Sequence, residues 1–327
     1  MKNLNLHVKE VPDFPNIVNV EVFRGDCPCS CRHCPVGTTP REKRRSFFGY
    51  GSIDLMLFEK IVNEIAEYPD CVLRLHSVGE PILWDKLIAA LKLAHDKSVK
   101  TWLFTCGVTR DKQLLHSICE YADIVEVSVN SSSPEDYRAS KGLAAFNLVC
   151  ENIEFLHQTI VENGYGTRLL VSRVETPTRS DDDAFIHHWK ATGVVSDAFV
   201  RSYHTYNDLL PGISESEIEE KKGPCLVHWA RLSLNLEGKA VVCFNELFRI
   251  STDPATELGD IREQTIHEIW HGTLLNTLRH AETTGNYAGP ARNLPCRSCR
   301  YYQPLVPDRQ TSEFQIEQLK NRNAQVI

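Results

Sequence analysis

The sequence predicts an α/β fold built as an open barrel, and two observations predict it. Six strand-like segments lie between residues 17 and 200, and segments with helical spacing of apolar residues alternate with them. Strands that alternate with helices pair in parallel through right-handed crossovers. Six units instead of the eight of a closed barrel leave a lateral opening, so we predict a partial (β/α)6 TIM-like barrel.

The elements follow in order along the chain. The first strand alternates apolar and polar residues, and a helical pattern capped by Ser52 or Asp54 comes next. The predicted strands cover residues 17–23, 72–76, 99–105, 124–129, 169–174 and 194–200. The predicted helices cover residues 54–68, 84–97, 112–121, 146–159 and 181–192. An active site is expected at the carboxyl ends of these strands.

The alternation ends near residue 205, which sets the domain boundaries. Pro211, Gly212, an acidic stretch and Gly223-Pro224 are typical of a linker. We therefore predict a barrel over residues 1–205, a linker over 206–222, a small cysteine-bearing domain over 223–310 and a polar C-terminal tail over 311–327.

Composition narrows the class of protein. The 327 residues carry a formal net charge of −7, which argues against general nucleic-acid binding. The first residues have no apolar signal segment, and no apolar run approaches about 18 residues, so we expect a cytoplasmic protein without a membrane span. In such a compartment twelve cysteines favour thiolate–metal chemistry over disulfides.

Seven of the cysteines form two groups with the spacing of metal ligands. Cys27, Cys31 and Cys34 follow the first strand as C-x₃-C-x₂-C. Three thiolates on a [4Fe–4S] cluster leave one iron open for a substrate or cofactor. The second group would complete a cluster with four thiolates: Cys225, Cys243, Cys296 and Cys299. Zinc is the alternative metal for either group, and redox-active thiols are a further alternative for the first. Cys29 does not fit the first spacing and is expected to be a non-ligand thiol.

The first cysteine motif, with His33 before its last cysteine, resembles the signature of the radical S-adenosylmethionine (SAM) superfamily. Gly79-Glu80-Pro81 resembles the superfamily's GGEP motif, although Val78 replaces its first glycine. The resemblance implies that Gly79, Glu80 and Pro81 bind the amino-acid end of SAM.

The same resemblance extends to two further strand ends. Thr105-Cys106-Gly107 is similar to a Thr-Asn-Gly motif, and Ser128-Val129-Asn130 to a Ser-x-Asp motif near the SAM ribose. It implies that His33, Ser128 and Asn130 lie near the adenosine. Topology alone places Arg173 toward SAM. The weak candidates for the substrate side are Cys106, Arg201, Tyr203 and His204. Cys106 is either a hydrogen-atom donor or a packing residue, and the general base is unassigned.

The second cysteine group resembles the SPASM extension of many radical SAM enzymes. Cys225 and Cys243 flank Gly238, which fits a hairpin that brings the two thiols together. No cysteine follows Cys299, as in the shorter twitch domain with one auxiliary [4Fe–4S] cluster. This cysteine plan is similar to that of the twitch dehydrogenases that oxidise 2-deoxy-scyllo-inosamine in antibiotic biosynthesis.

The resemblance implies an enzyme that forms a 5′-deoxyadenosyl radical and oxidises an alcohol of a carbohydrate or aminocyclitol, with the auxiliary cluster as electron acceptor. Alternatives are a redox-neutral epimerase, dehydratase or decarboxylase, a peptide- or protein-modifying enzyme of the sulfatase-maturase or ribosomal-peptide type, and a non-catalytic metal scaffold. An electron donor such as flavodoxin or ferredoxin is implied. The basic run Arg41–Arg45 is either its docking site, a site for an anionic substrate or a solvated loop.

Overall fold

The computed structural model describes residues 11–211, 224–299 and 312–323. The strands are β1 (Ile17–Arg24), β2 (Gly51–Ser52), β3 (Val72–Val78), β4 (Lys100–Thr105), β5 (Ile124–Ser128), β6 (Arg168–Val174), β7 (Asp197–Arg201), β8 (Arg231–Leu234), β9 (Lys239–Val241) and β10 (Glu257–Asp260). The helices are α1 (Pro35–Thr38), α2 (Arg41–Phe48), α3 (Leu55–Ile65), α4 (Leu87–Asp96), α5 (Lys112–Tyr121), α6 (Pro134–Lys141), α7 (Phe146–Asn163), α8 (Arg179–Ala191), α9 (Leu226–Ala230), α10 (Ile266–Trp270), α11 (Thr273–Thr284) and α12 (Ser312–Asn323).

One sheet runs through both parts of the chain. Its order is β10-β9-β8-β1-β3-β4-β5-β6-β7, and β2 pairs with β1 beside this path. The strands β1, β3, β4, β5, β6 and β7 are parallel to one another, which confirms the predicted α/β fold and its six barrel strands. On the other side of β1, β8 pairs in parallel with Ile17 opposite Arg231, so the C-terminal segment extends the barrel sheet.

The predicted elements match the observed ones apart from their ends. Asp54 caps α3, since its Oδ1 accepts hydrogen bonds from the amides of Met56 and Leu57. Several helices were not predicted, among them α2 and α6, which border the cysteine loop. α2 contains the basic run, and α6 begins after Ser133, whose hydroxyl accepts the Asp136 amide. Ser133 at the N-cap and Pro134 in the first turn are a local helix-start signal that the sequence analysis did not use.

The barrel interior begins with an apolar layer at the amino ends of the strands. Each of the six strands contributes one buried side chain: Ile17, Val72, Trp102, Ile124, Leu170 and Phe199. Ile316 of α12 packs into this layer. The segment expected as a polar tail therefore contains a helix that packs against the interior of the barrel.

Buried polar contacts fix α12 in place. Arg231 of β8 pairs with Glu313 through two hydrogen bonds of 2.6 and 2.5 Å. Arg74 donates to Ser312 Oγ at 2.6 Å, and Arg168 donates to the carbonyl of Gln315 at 2.5 Å. These pairs satisfy charges that would be costly to bury alone.

Candidate active site and auxiliary cysteine site

The three cysteines of the first motif lie between β1 and α1, at the carboxyl end of the barrel. β1 and β3 are neighbours, so the loop after each strand meets the other. The Gly25 amide donates to the Val78 carbonyl at 2.9 Å, and the Glu80 amide donates to the Asp26 carbonyl at 2.8 Å. The cysteine loop and the Gly79-Glu80-Pro81 segment are thus held side by side, as the resemblance implies.

α2 supports the cysteine loop from one side. Arg44 is only 2% exposed, and its guanidinium donates to the Cys27 carbonyl at 2.8 Å and to Ser30 Oγ at 2.9 Å. The interpretation of the basic run as a solvated loop is therefore wrong for Arg44. Sequence analysis missed this because an arginine that donates to buried backbone carbonyls cannot be distinguished, in the sequence, from an arginine exposed to solvent.

α6 supports the loop from the other side. The Ser30 amide donates to the Lys141 carbonyl at 2.7 Å, and the Arg32 amide to the Ser140 carbonyl at 3.1 Å. The Lys141 side chain is 2% exposed, and its Nζ donates to Ser128 Oγ at 3.2 Å. Burial alone would lower the pKa of this ammonium, but the neighbouring cysteines outweigh it and raise the pKa above its ordinary value. Sequence analysis did not identify Lys141 as a site residue.

Five thiols gather at this loop. Cys29, Cys31 and Cys106 are buried together, and Cys27 and Cys34 pack against them. The sulfur atoms of Cys27, Cys29 and Cys106 all lie within 4.8 Å of one another. Thiolate donors of this number suit an iron–sulfur cluster. Cys29 and Cys106, which are not expected ligands, therefore lie in the same group of thiols as the three motif cysteines.

The thiols differ in acidity. Hydrogen bonds from Cys106 and Cys29 lower the pKa of Cys27 to about 6. A hydrogen bond with Cys29 and burial raise the pKa of Cys31 to about 12, and the His33 ring also hydrogen-bonds Cys31. Burial raises the pKa of Cys34 to about 11. A hydrogen bond from Cys106 also lowers the pKa of Cys29. Cys27 and Cys29 are therefore the two thiols of this loop whose pKa lies below its ordinary value.

Glu80 joins the two loops at the strand ends. Its side chain is 2% exposed, and Oε2 accepts a 2.8 Å hydrogen bond from the Cys106 amide. Oε1 accepts the Ile82 amide at 3.4 Å, which caps the short 3₁₀ helix Pro81–Leu83. Burial raises the pKa of this carboxyl.

The other residues expected near SAM divide into two sets. Asn130 donates to Ser128 Oγ at 2.9 Å, so these two side chains and Lys141 form one polar group beside the cysteine loop. Arg173 instead forms an ion pair of 3.2 Å with Asp182 of α8. This corrects the expectation for Arg173: side chains alternate along β6, and Ser172 takes the inward position, where its hydroxyl donates to Glu126.

A polar layer lies above the apolar floor of the barrel. Glu126 accepts two hydrogen bonds from Arg201, of 2.8 and 2.5 Å, and a 3.1 Å bond from the Trp102 indole. Arg201, a predicted substrate-side residue, is thus committed to an ion pair inside the barrel. Tyr203 is not brought to this layer, because its hydroxyl donates to the Pro211 carbonyl at the surface.

An aromatic cluster connects the barrel to the C-terminal domain. It consists of His76, His204, Tyr206, Phe244 and Phe248. The ring centroids of His76 and Phe244 are 5.9 Å apart, and those of His204 and Phe244 are 5.0 Å apart.

This aromatic cluster also reaches the first cysteine motif. Cys27 and Cys34 pack against the same apolar group as Tyr206 and Phe244. Tyr206 lies in the segment expected to be a linker, of which residues 212–222 lie outside the described residues.

His76 lies on the inner face of β3. Its Nδ1 is buried and has no hydrogen-bond partner among the described residues. Burial, with Arg74 and Arg201 nearby, lowers the pKa of His76 to about 3, so the ring is neutral at physiological pH. Sequence analysis did not identify this residue.

The second cysteine group converges on one cavity. Its lining includes all four thiols, Cys225, Cys243, Cys296 and Cys299, together with His204 and Asn207 from the loop after β7. The predicted hairpin is present as β8 and β9, and Gly238 has a φ of +85° in its turn. Four convergent cysteines have the donor set of a fully ligated iron–sulfur cluster.

A buried hydrogen-bond network supports this cavity. The Glu282 carboxylate accepts the Cys225 amide and the Trp229 indole, each at 3.2 Å. Its other oxygen lies 2.8 Å from His228 Nδ1, and His228 Nε2 lies 3.6 Å from Cys296 Sγ. Such outer-shell partners orient metal-binding thiols. The sequence gave no pattern for them, because Glu282 is 57 residues from Cys225.

Comparison with known proteins places these features in a class. Residues 225–300 match the SPASM family, described as an iron-sulfur cluster-binding domain. The structure of BtrN in complex with AdoMet and 2-DOIA is similar, with a TM-score of 0.54, 14% identity and coverage of 91% of this chain and 96% of BtrN.

Two further structures are similar. Streptococcus suis SuiB bound to precursor peptide SuiA gives a TM-score of 0.61 at 12% identity, and the match covers 81% of this chain and 66% of SuiB. anSMEcpe with bound AdoMet and Cp18Cys peptide gives a TM-score of 0.57 at 13% identity, covering 94% and 99%. A search of curated protein sequences gave no significant match.

The fold and the second cysteine site therefore define an α/β barrel protein with a C-terminal iron–sulfur cluster-binding domain. The barrel has the fold of radical SAM enzymes, and the C-terminal domain is of the SPASM type, so the predicted resemblance is confirmed at these two levels. The closer similarity to the cysteine plan of a twitch dehydrogenase stays a prediction. Among the residues that the structure describes, no helix is long and apolar enough to cross a membrane.

Proposed function

We propose that this protein is a radical SAM oxidoreductase that removes two hydrogens from an alcohol of a carbohydrate-like or aminocyclitol-like small molecule in the cytoplasm. Cys27, Cys31 and Cys34 hold the SAM-binding [4Fe–4S] cluster. The auxiliary [4Fe–4S] cluster is held by Cys225, Cys243, Cys296 and Cys299. When bound, the first cluster and SAM supply a 5′-deoxyadenosyl radical, and the second cluster accepts an electron.

One observation carries the proposal. Two separate thiol groups of the right number border one aromatic cluster, since Phe244 lines the cavity of the second group beside Cys243 and packs against the same apolar group as Cys27 and Cys34. A substrate bound against this aromatic cluster would lie close to both cysteine sites. The three-thiol motif leaves a coordination position for SAM, whereas the four-thiol site leaves none, which suits electron transfer.

The remaining residues have roles in binding. Glu80 holds the loop that receives the amino-acid end of SAM, and Ser128, Asn130 and Lys141 form the polar group that borders the cofactor. The ion pair of Arg201 with Glu126 gives the barrel interior a polar layer, which suits a hydroxylated substrate. The rings of Phe104 and Phe244 both contact His76 edge to face, and such aromatic surroundings would limit the access of water to a bound substrate.

A second candidate is the modification of a peptide. The support for it is the similarity to SuiB and anSMEcpe, whose structures hold a precursor peptide and the Cp18Cys peptide. A redox-neutral change of a sugar, such as epimerisation, is a third outcome of the same test.

The test incubates the anaerobically reconstituted protein with SAM, dithionite and panels of aminocyclitols, aminosugars and cysteine- or serine-containing peptides. Oxidation of an alcohol gives a small-molecule product two mass units lighter, with one SAM consumed per product. A sugar product of unchanged mass would point to epimerisation, and a modified peptide alone would overturn the small-molecule assignment.

A variant of the auxiliary site tests the role of the second cluster. Cys243→Ala should retain SAM cleavage and lose the oxidised product, since the electron then has no acceptor. If Cys243→Ala forms the lighter product at the wild-type rate, the proposed role of the second cluster is wrong.

A further inference from the structure

Two thiols beyond the expected ligands belong to the first cysteine site. Cys29 lies within the motif loop, whereas Cys106 comes from the end of β4. Cys106 is 6% exposed, and its sulfur lies within 4.8 Å of the sulfurs of both Cys27 and Cys29. The position of this thiol, which comes from a separate strand and lies among the expected ligands, suggests that it has a role at the site.

The backbone at Cys106 is rigidly placed. Its amide donates to the buried Glu80 carboxylate at 2.8 Å. Gly107 follows with a φ of +71°, and a Cβ there would lie 2.9 Å from Val127. Asn152 donates to the Gly107 carbonyl at 2.8 Å. These contacts therefore hold the backbone of Cys106 in one position beside the motif, while the side chain keeps its own rotation.

A cubic cluster has four irons, and the motif supplies thiolates for three of them. The fourth iron takes water, a small molecule or another protein ligand when SAM is not bound. A thiolate is a stronger ligand for iron than water. Cys106 is the described thiol that faces the motif from another element.

Cys29 is less suited to this task. One residue separates it from Cys27 and one from Cys31, and the Ser30 amide is fixed on the Lys141 carbonyl. Movement of Cys29 onto or off an iron would disturb the motif ligands on both sides. Cys106 can bind and leave by rotation of its own side chain.

We propose that Cys106 is a fourth, exchangeable thiolate ligand of the SAM-binding cluster. It closes the open iron in the SAM-free protein, and SAM replaces it. In this exchange the iron–sulfur bond to Cys106 would be broken and the amino and carboxylate groups of SAM would take its place. The α-ammonium group of SAM would lose one proton as its nitrogen binds, and the departing thiolate would take up one proton, so the exchange is proton-neutral. No electron is transferred. The inference rests on the proposed function only in requiring a cluster at the motif.

The experiment compares the full-length wild type, Cys106→Ser and the matched control Cys29→Ser, each reconstituted without oxygen and without SAM. Ferricyanide then removes an exposed fourth iron, and electron paramagnetic resonance follows the [3Fe–4S] signal that results. We expect Cys106→Ser to form the signal several-fold faster than the wild type, and Cys29→Ser to behave as the wild type. Equal rates in the wild type and Cys106→Ser would overturn the proposal, as would acceleration in Cys29→Ser alone.

A measurement on the wild type alone keeps the proposal testable if a variant misfolds. Mössbauer spectra of the ⁵⁷Fe-loaded protein should show no nitrogen- or oxygen-bound iron before SAM is added, and one afterwards. A distinct oxygen-bound iron before SAM contradicts the proposal. If the protein cleaves SAM but shows this distinct iron, only the proposal for Cys106 is contradicted. If no cluster forms at the motif, the proposed function itself is contradicted.

Discussion

The amide of Ser30 donates a 2.7 Å hydrogen bond to the carbonyl of Lys141, so the middle of the cysteine loop lies on the last turn of α6. The same residue places its ammonium group among the thiols. The loop is thus held by a backbone contact and lies beside one buried positive charge.

The charge of Lys141 should tune the cluster of the first motif. A positive charge favours the reduced, more negative cluster, so Lys141→Met should lower its midpoint potential by an amount on the order of tens of millivolts. A redox titration followed by electron paramagnetic resonance measures this. Lys86→Met removes an exposed lysine and should leave the potential unchanged. An unchanged potential in Lys141→Met would show that this ammonium does not act on the cluster.

Gly37 should be required for the shape of the cysteine loop. A Cβ at this position would overlap the backbone of Cys31, which cannot move without moving a ligand. Gly37→Ala should therefore lose most of the iron bound at the first site, about four of a total of about eight per chain. Iron analysis after anaerobic reconstitution measures this. Gly166→Ala, where a Cβ meets no atom within 4 Å, is the control and should keep its iron.

The buried pair of Arg231 and Glu313 should contribute strongly to the packing of α12. Glu313→Gln leaves Arg231 without its counter-charge in a buried position, and we expect a loss of about 3–5 kcal/mol in the free energy of unfolding. Urea unfolding measures it. Replacing both residues, as Arg231→Met with Glu313→Leu, should cost less than Glu313→Gln. A loss below about 1 kcal/mol in Glu313→Gln would mean that the pair is solvated.

His76 should make stability depend on pH. The pKa of the folded side chain is about 3, whereas an unfolded histidine titrates near pH 6.5, so the unfolded state binds more protons between these values. The contribution of His76 is fully present above pH 6.5 and is lost as the pH falls toward 3.

His76→Gln should therefore lose less stability than the wild type between pH 7 and pH 5, by at most about 1.4 kcal/mol per pH unit. Urea unfolding at several pH values measures the difference. His187→Gln, which removes an exposed histidine of α8, serves as the control. Parallel pH profiles for the wild type and His76→Gln would contradict the assigned burial of the ring.

The sequence was sufficient for those parts of the molecule that depend on local pattern. Alternation and helical spacing placed the six barrel strands, and cysteine spacing indicated the hairpin around Gly238. Asp54 was identified as a cap because its position before an apolar helix is a local signal.

Long-range pairing was beyond the sequence pattern. Lys141 and Cys27 are distant in the chain, and only the approach of α6 to the loop brings them together. The polar segment after residue 311 has few apolar residues, so nothing in its pattern predicted that Glu313 and Ile316 are buried. Side chains alternate along β6, so a shift of one residue decides whether Arg173 faces α8 or the barrel interior.

The central claim is that Cys27, Cys31 and Cys34 hold a cluster that cleaves SAM, and the release of 5′-deoxyadenosine tests it most directly. Protein with its full iron content, incubated without oxygen with SAM and dithionite, should release 5′-deoxyadenosine, and Cys31→Ala should release none. If the wild type holds its full iron and releases no 5′-deoxyadenosine, the assignment of this site is contradicted.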